Sequence, residues 1–530
     1  MKAACLRNSS LPGTSQLFSH FLYDFDRVRP FYGQSYLDPA SYARAAAQIN
    51  FPAERRAAIV EALREQNGDS EALRRLAQPG TVAVVTGQQV GLFGGPAYTI
   101  YKAQTAVALA ERLTAEGIPA VPVFWLATED HDFPEINHAY TYDAAHQPHR
   151  LSVEGEPALP MPVGGIVPPY YPLDALAATF TGGAYADEVA AMVRQAYAPG
   201  RSLGEAFFAL MRALMPDSGL LYLDPLRASY RAVAAPFLAA AIERSEELGA
   251  ALAARNAELT AAGYHAQVHV EDSTSLFFLL EKGPRGAFSQ RKAFKRNGTT
   301  FISGKEKFAT AELAVRAASL SPNALLRPVM QDFTLPTVAY VGGPGEIAYF
   351  AQSEALYRRL LGRMPVITAR SGFTLIDSRC GKLLSRYGLQ VPDVFGEEKL
   401  QERISRQLVP AALQANIAAA KSETEQRLDR LNADLAQFDP TLAKALGKSR
   451  AKIVHHFARI EAKTLREALR RDTRAASEAA YLSGSIYPDA HLQERHYTIL
   501  PFLAEHGFEL IHNLREHIHL DCPDHIVVHI

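Results

Sequence analysis

The stretches Thr81–Lys102 (TVAVVTGQQVGLFGGPAYTIYK) and Val121–His138 (VPVFWLATEDHDFPEINH) decide the fold of this chain. Each places polar and ionisable side chains directly after a hydrophobic run that is typical of a buried strand. In the first stretch, a glycine-rich turn and a helix follow the strand. Strand, helix and strand at this spacing predict a βαβ crossover and therefore a parallel sheet. Because ligands bind at the carboxyl ends of parallel strands, the same stretches predict a binding site.

The composition limits the class of protein. A chain of 530 residues is expected to form two or three domains, and 48% hydrophobic and 21% charged residues are typical of a soluble globular protein. The formal net charge of -1 gives no general attraction to nucleic acid or to anionic membranes. We expect no signal peptide and no membrane-spanning helix. Cys5, Cys380 and Cys522 form no CxxC pair, which predicts reduced thiols and a cytoplasmic location.

The strand and helix patterns predict an α/β fold with a parallel-sheet core. Further strands are expected at Gly219–Leu223, Leu335–Val341 and Met364–Thr368. Leucines spaced by three and four, and a turn at residues 438–440, predict an antiparallel helical hairpin with the narrow apolar seam of a coiled coil. A helix near residues 499–516 and a strand-like tail, HIHLDCPDHIVVHI, are expected to follow.

We therefore divide the chain into four parts. They are a helical N-terminal segment at 1–80, the core at 81–395 with insertions near 150–215 and 264–330, the hairpin at 396–480, and a C-terminal segment at 481–530 that packs back on the core.

The first glycine-rich turn is a candidate binding element. Glycines at positions 87, 91, 94 and 95 let the backbone approach a ligand, and the helix behind them presents free N–H groups to an anion. The turn matches neither the dinucleotide-binding fingerprint nor the P-loop. Gln88, Gln89 and Lys102 favour a functional turn over a structural one, because amides are costly to bury without partners.

The acidic cluster after the second strand is the candidate catalytic element. It contains Glu129, Asp130, His131 and Asp132. Three neighbouring carboxylates can raise one pKa toward neutrality, which suits acid or base catalysis, and His131 is an alternative base. Metal binding by this cluster with His138 suits the residue types but no known ligand spacing, so no metal site is predicted. A purely structural strand end is the remaining alternative.

Three further segments carry weaker signals. The turn Gly342–Glu346, followed by Tyr349, repeats the strand-end pattern, although a tight structural connection is also possible. The basic stretch with Lys282, Arg285, Arg291, Lys292, Lys295 and Arg296 is either a solvated loop or a flap that meets an anionic substrate. Tyr487, Gln493 and Arg495 are weak candidates for a nucleotide contact, with loop anchoring as the alternative.

Four motifs taken together resemble the BshC family, the cysteine-adding enzymes of bacillithiol biosynthesis. They are TGQQVGLFGGPAYTIYKAQTA, FWLATEDHDFPEINH, YVGGPGEIAYFAQ and, after the charged hairpin, HLQERHYTILPFL. The resemblance implies a Rossmann-like core with connecting-peptide insertions, a coiled-coil hairpin and a homodimer formed through it. It further implies the final pathway step, in which L-cysteine is joined to glucosaminyl-malate.

The resemblance also implies a pocket and an activating nucleotide. The pocket residues carried over by motif are Thr86, Gly87, Gln88, Gln89, Gly94, Gly95, Lys102, Glu129, Asp130, His131 and Asp132, with Gly342, Gly343, Gly345, Glu346 and Tyr349 opposite. Amide formation requires an activated carboxylate, so we expect an acyl-adenylate or acyl-phosphate made with ATP, with Mg²⁺ only as its companion. The HxGH and KMSKS motifs of class I synthetases are absent from the sequence. The alternatives are a nucleotidyltransferase acting on a sugar or amino acid and a non-catalytic nucleotide-binding scaffold.

Overall fold

The computed structural model describes residues 2–271, 273–283 and 288–530, without the side chains of residues 397–399. The chain divides into two compact units. Unit 1 contains residues 1–144, 148–374 and 494–528, and unit 2 contains residues 145–147, 375–493 and 529–530. Within the described ranges, no helix has the length and apolar character needed to cross a membrane.

The strands are numbered in chain order. They are β1 (Lys2–Leu6), β2 (Val82–Gln88), β3 (Ala120–Leu126), β4 (His138–Tyr142), β5 (Pro148–Ser152), β6 (Leu221–Leu223), β7 (Thr274–Lys282), β8 (Phe288–Asn297), β9 (Thr300–Ser303), β10 (Glu306–Ala309), β11 (Leu320–Pro322), β12 (Thr337–Gly342), β13 (Val366–Ala369), β14 (Phe373–Ile376) and β15 (His525–His529).

The helices are numbered in the same way. Those before the crossing into unit 2 are α1 (Gln16–Tyr23), α2 (Arg29–Tyr32), α3 (Ala40–Ala47), α4 (Ala53–Asn67), α5 (Glu71–Ala77), α6 (Tyr98–Ala115), α7 (Phe133–Ile136), α8 (Leu173–Thr179), α9 (Ala186–Ala196), α10 (Leu203–Leu214), α11 (Ala228–Glu243), α12 (Ser245–Ala261), α13 (Thr310–Val315), α14 (Arg327–Thr334) and α15 (Pro344–Leu360). The remaining helices are α16 (Ser378–Tyr387), α17 (Glu397–Leu408), α18 (Ala411–Phe438), α19 (Pro440–Arg471), α20 (Thr473–Ile486), α21 (Gln493–His496), α22 (Leu500–His506) and α23 (Glu509–Arg515).

The central sheet of unit 1 has the strand order β13-β12-β2-β3-β6, and all of its strands are parallel. From β2 the chain first builds outward through β3 and β6, and it then returns to the other side of β2 with β12 and β13. This is the Rossmann order, in which the connections change direction between β2 and β12. The predicted Rossmann-like parallel core is confirmed.

Both faces of this sheet are covered. All residues of β3 and all but the last residue of β2 are buried. Since alternate side chains of a strand point to opposite faces, burial at every position requires packing on both sides. The helix α6 packs against β2 and β3, and its Leu109 and Leu113 belong to the same core as Val84. The hydrophobic run therefore makes a rigid platform whose ends hold the polar residues that follow.

A second sheet of unit 1 is antiparallel, with the order β10-β9-β8-β7-β11. Its strands β7–β10 lie within the insertion that the sequence predicts near residues 264–330, and the predicted basic stretch falls on β7 and β8. Of the basic residues in that stretch, Arg285 lies outside the described residues.

Unit 2 contains the helical hairpin that the sequence predicts. Helices α18 and α19 pack along each other, and Asp439 separates them as the N-cap of α19, accepting a hydrogen bond from the Thr441 N–H at 2.7 Å. Across the hairpin, Arg450 forms an ion pair with Asp429 at 3.2 Å. No residue of α18 is buried, and only Leu465 of α19 is. Although α17 also packs against α19, a hairpin with a single buried residue leaves its seam partly exposed.

The C-terminal segment differs from its prediction in two places. The predicted helix near residues 499–516 is broken into α22 and α23, because Gly507 adopts a φ of 79° and ends α22. The strand-like tail is a strand only at β15. A turn closed by the hydrogen bond from the Cys522 N–H to His519 O, followed by Pro523, interrupts the alternating pattern.

We predict that Gly87→Ala destabilises unit 1. Gly87 pairs with Trp125 across β2 and β3, and a Cβ at Gly87 would lie 2.8 Å from the Trp125 carbonyl oxygen. Forcing the two strands apart is expected to cost about 1–3 kcal/mol. The control is Gly345→Ala, because its Cβ would meet nothing within 4 Å. Urea unfolding followed by the fluorescence of Trp125, the single tryptophan of the chain, measures both variants, and equal midpoints would contradict the prediction.

Candidate functional site

A cavity of about 630 Å³ opens in unit 1 at the carboxyl ends of β2, β3 and β12. Residues that directly follow these strands line it, among them Gln89, Asp130 and Gly343. Because β2 and β12 are the strands between which the connections change direction, the cavity occupies the crevice where open α/β sheets bind their ligands.

The structure brings many of the predicted residues to this cavity. Those that line it are Gly87, Gln88, Gln89, Lys102, Glu129, Asp130, His131, Gly343, Gly345, Glu346, Tyr349 and Arg495. Those that do not line it are Thr86, Gly94, Gly95, Asp132, Gly342, Tyr487 and Gln493.

The predicted residues outside the cavity have identifiable structural contacts. The Thr86 hydroxyl donates to Val341 O at 2.8 Å and so ties β2 to β12. Asp132 caps α7 by accepting from the Glu135 N–H at 3.3 Å. In unit 2, the Gln493 side-chain amide bonds to both backbone groups of Leu375 and to Ser485 O. Polar groups engaged in this way hold the backbone in place and are not free for a ligand.

The N–H groups of the first glycine turn are largely used within the protein. Gly94 N–H donates to the Tyr197 hydroxyl at 3.3 Å, and Ala97 N–H donates to Tyr497 O at 2.7 Å. At the second turn, Gly343 N–H donates to Glu346 Oε2 at 2.8 Å. Binding of an anion in the cavity therefore falls mainly to side-chain cations.

Gln89 joins the two strand ends that the sequence singled out. Its Nε2 donates to Asp130 Oδ2 at 2.7 Å and to Glu135 Oε2 at 2.8 Å. Carboxylates only accept hydrogen bonds, so the amide nitrogen must face both of them. One side chain that directly follows β2 thus holds two carboxylates of the segment after β3 beside each other.

These two carboxylates differ in basicity. Burial by itself raises the pKa of Asp130, but hydrogen bonds from the Gln89 amide and the His131 backbone N–H and the charge of Arg291 outweigh it and hold this pKa well below its ordinary value. For Glu135, burial is the largest effect, and it raises the pKa despite the Gln89 hydrogen bond, with the charge of Asp130 adding to the shift. Within the cluster, burial likewise raises the pKa of Glu129, although the charges of Arg231 and Arg291 oppose it. The expectation of a carboxylate with a raised pKa thus fits Glu129 and, outside the cluster, Glu135, and does not fit Asp130.

His131 is held in one tautomer. Its Nδ1 lies 2.7 Å from Arg291 Nη1, whereas Asp130 Oδ1 is 3.6 Å from the same Nδ1. A guanidinium only donates, so Nδ1 accepts and the ring proton is on Nε2. In this state, His131 presents a hydrogen-bond donor.

Lys102 and Glu346 form a buried ion pair at the cavity wall, with Nζ and Oε2 2.6 Å apart and the Lys102 side chain 1% exposed. The same Nζ donates to Gly87 O and to Gln88 Oε1, so its three N–H groups all have acceptors. Burial raises the pKa of Glu346, but the Lys102 charge and the hydrogen bond from Gly343 outweigh this effect and lower it. Lys102 therefore has no donor left for a ligand.

The Glu129 carboxylate is also held in place, by a buried ion pair with Arg231. Its Oε1 lies 2.6 Å from Arg231 Nη1, and the Arg231 guanidinium donates in addition to the carbonyls of Ala318 and Leu320. Both side chains are buried. Glu129 therefore forms a fixed part of the cavity wall.

The sequence analysis did not single out several residues of the cavity wall. They include Tyr98, Trp125, Glu135, Phe278, Arg327, Tyr340 and Arg370. Arg370 directly follows β13, so the strand-end pattern could have identified it. Arg327 begins α14, before a strand, and no strand-end pattern marks it.

The basic stretch was predicted to be either a solvated loop or a flap that meets the substrate, and its residues differ in this respect. Arg291 lines the cavity, where its guanidinium lies 3.9 Å from the Phe278 ring centroid. Lys292 instead pairs with Glu281 and Glu306 at 2.9 and 2.5 Å. Adjacent residues of β8 point to opposite faces, so one basic side chain faces the cavity and the next does not.

Comparison with known proteins gives two family matches that together cover almost the whole chain. Residues 1–371 match the family described as bacillithiol biosynthesis BshC, N-terminal Rossmann-like domain. Residues 373–530 match the BshC C-terminal coiled-coil domain.

Curated relatives are similar along their full length. A protein of Solibacter usitatus is 51% identical over 529 residues, which cover 100% of both chains. A protein of Koribacter versatilis is 34% identical with 99% of each chain covered, and one of Salinibacter ruber is 33% identical with 98% of this chain and 97% of the relative covered. All three carry the name "Putative cysteine ligase BshC".

Proposed function

This chain belongs to the BshC family of bacillithiol biosynthesis, and from that premise we propose that it joins L-cysteine to glucosaminyl-malate through an amide bond. The observation that carries the proposal is the cavity at the ends of β2, β3 and β12, where the Gln89 amide holds Asp130 and Glu135 together. Two carboxylates with pKa values shifted in opposite directions are typical of acid–base chemistry.

The amine that attacks the cysteine carbonyl must lose a proton, and Glu135 is the proposed base. It lines the cavity, and its pKa is raised toward the range in which a carboxylate accepts protons well. Asp130, whose pKa is lowered, is a weaker base and remains negatively charged. In this proposal Asp130 positions Gln89 and Arg291, which in turn position the reacting groups.

His131 has the complementary role. With the proton on Nε2 and Nδ1 bound to Arg291, it donates a hydrogen bond to the carbonyl oxygen of the cysteine as negative charge develops there. Its place directly after Asp130 puts this donor on the cavity wall beside the proposed base.

The proposed co-substrate is ATP, which supplies the free energy for activating the cysteine carboxylate. Arg495 suits a phosphate group: it lines the cavity, it is exposed, and it has no ion-pair partner among the residues that the structure describes. Its guanidinium lies over the Tyr98 ring, 5.7 Å from the ring centroid. Arg495 would thus hold a phosphate at the solvent-facing wall.

We further propose that the protein acts in the cytoplasm as a homodimer. The hairpin of unit 2 exposes large apolar side chains, including Leu431, Phe438 and Ile460, at 46%, 83% and 51%. A second copy of the hairpin would cover such side chains.

The test is reconstitution with purified protein, L-cysteine, glucosaminyl-malate and ATP. We expect bacillithiol by mass spectrometry, with one ATP consumed per product. Pyrophosphate release without a new thiol would favour the nucleotidyltransferase. No turnover, together with loss of cellular bacillithiol from hairpin variants but not from strand-end variants, would favour the scaffold.

A further inference from the structure

We infer that Arg327 forms a subsite for a carboxylate group of the acceptor substrate. The inference deepens the proposed function and rests on it for the identity of that acceptor, whose malate part carries two carboxylates. Neither the strand-end pattern nor the family motifs point to this residue.

The cations that line the cavity differ in whether a carboxylate of the protein neutralises them. Lys102 pairs with Glu346 at 2.6 Å, Arg291 lies 3.5 Å from Asp130, and Arg370 pairs with Glu494 at 2.5 Å. Arg327 lines the same cavity, and no carboxylate of the described chain lies within ion-pair distance of it. A largely enclosed cation without a counter-charge is costly, so a ligand that brings the negative charge would be bound strongly.

The position of the guanidinium is fixed by neutral groups. Arg327 Nη1 donates to Gln331 Oε1 at 3.0 Å, and Nη2 donates to the Tyr349 hydroxyl at 2.9 Å. The guanidinium also lies 5.6 Å from the Trp125 ring centroid and 5.8 Å from that of Tyr340. These contacts hold the group without neutralising it.

Two N–H groups of the Arg327 guanidinium remain available to a ligand. Of its five N–H groups, those on Nη2 and one on Nη1 are directed at Gln331, Tyr340 and Tyr349. The N–H on Nε and the second N–H on Nη1 have no partner in the part of the chain that the structure describes. A planar group with two oxygen acceptors matches such donors.

The surroundings favour a carboxylate over a phosphate. The Tyr340 hydroxyl accepts from Arg327 at 3.5 Å and donates to Glu346 Oε1 at 2.6 Å, so an ionised carboxylate lies one hydroxyl away. A doubly charged phosphate would be repelled by Glu346 more strongly than a singly charged carboxylate. The exposed Arg495 faces no such neighbouring charge among its described contacts and suits the phosphate better.

The test measures KM for the acid and methyl-ester forms of the acceptor with the wild-type protein and with two arginine variants. With wild-type protein, replacing the malate carboxylates of the acceptor by methyl esters is expected to raise KM about 10- to 100-fold, as for loss of a charge-assisted hydrogen bond. Arg327→Gln should raise the KM of the acid acceptor by a similar factor and should abolish the difference between acid and ester. The matched control Arg495→Gln should change the KM for ATP and preserve the acid–ester difference.

Either of two results with Arg327→Gln would overturn the inference. One is an unchanged difference in KM between the acid and ester acceptors, and the other is a raised KM for ATP alone. If the wild-type protein makes no thiol product, the proposed function fails, and calorimetry with malate alone still decides the subsite: wild type and Arg495→Gln should bind malate, and Arg327→Gln should not. If Arg327→Gln does not fold, Tyr349→Phe, which keeps the guanidinium and removes its 2.9 Å hydrogen bond to the Tyr349 hydroxyl, should weaken malate binding less but measurably.

Discussion

Replacing Glu135 by glutamine is expected to lower kcat about 100- to 10,000-fold, the usual contribution of a general base. The amide is nearly isosteric but accepts no proton at any working pH. Glu135 as a whole residue is exposed, and only its carboxyl group is partly withdrawn from water, beside Gln89, so the variant should fold normally. The matched control is Asp132→Asn, three residues earlier, which removes an exposed carboxylate that caps α7 and does not line the cavity. It should retain nearly full activity.

The pH dependence separates Glu135 from Asp130 as the base. A base works in its deprotonated form, so kcat/KM should fall as the pH drops through the pKa of that group. Burial raises the pKa of Glu135 above its ordinary 4.5, which places the acid limb above that value. If Asp130 were the base, its lowered pKa would place the limb well below 3.8. An acid limb that Glu135→Asp does not move, or full activity of Glu135→Gln, would remove Glu135 from the mechanism.

The second large effect is expected from splitting the ion pair of Lys102 and Glu346. Lys102→Met leaves the Glu346 carboxylate beside Gly343 and Tyr340 without its counter-charge, which should cost about 3–5 kcal/mol of unfolding free energy. Glu346→Gln leaves the ammonium enclosed, with Gly87 O and Gln88 Oε1 as its remaining acceptors, and should cost a similar amount. Urea unfolding monitored at Trp125 reports on this unit.

The double variant decides whether the two losses share one cause. If the pair is the cause, Lys102→Met with Glu346→Gln should cost clearly less than the sum of the single changes, and additive losses would contradict this account. Lowering the pH should also weaken this ion pair and reduce the free energy of unfolding. Since the folded-state pKa of Glu346 is lowered, the stability it contributes is present above its ordinary pKa of 4.5 and is lost as the pH falls toward the lower folded value.

Local sequence patterns predicted the sheet and the place of the cavity, because strand ends and glycine turns are local features. The partners of those residues are not local. The sequence groups Lys102 with the binding turn, but its ammonium group already forms an ion pair with Glu346, which lies 244 positions later. The turn around Gly94 has the glycines of an anion-binding loop, but Tyr197 takes the N–H group. The sequence therefore indicated which residues line the cavity better than it indicated which of their polar groups are free to bind a ligand.

The pKa values of the acidic cluster depend on contacts that the sequence does not show. Three neighbouring carboxylates suggest mutual repulsion, yet the pKa of Asp130 is lowered by donors from two other segments, Gln89 and Arg291, and by the N–H of its neighbour His131. Burial raises the pKa of Glu129, which is in the cluster, and also that of Glu135, which lies beyond the cluster in the short helix α7 that the sequence did not reveal. Charge proximity in sequence is a weak guide when tertiary donors compete.

The order of the chain has a consequence for biosynthesis on the ribosome. Arg370 lines the cavity and is neutralised by Glu494, at 2.5 Å, which is translated only after the whole of residues 375–493. Until that late segment emerges, the nascent sheet carries an unmatched guanidinium at its ligand-binding edge. This wall of the cavity therefore reaches its final charge balance only after the helical residues of unit 2 have been synthesised.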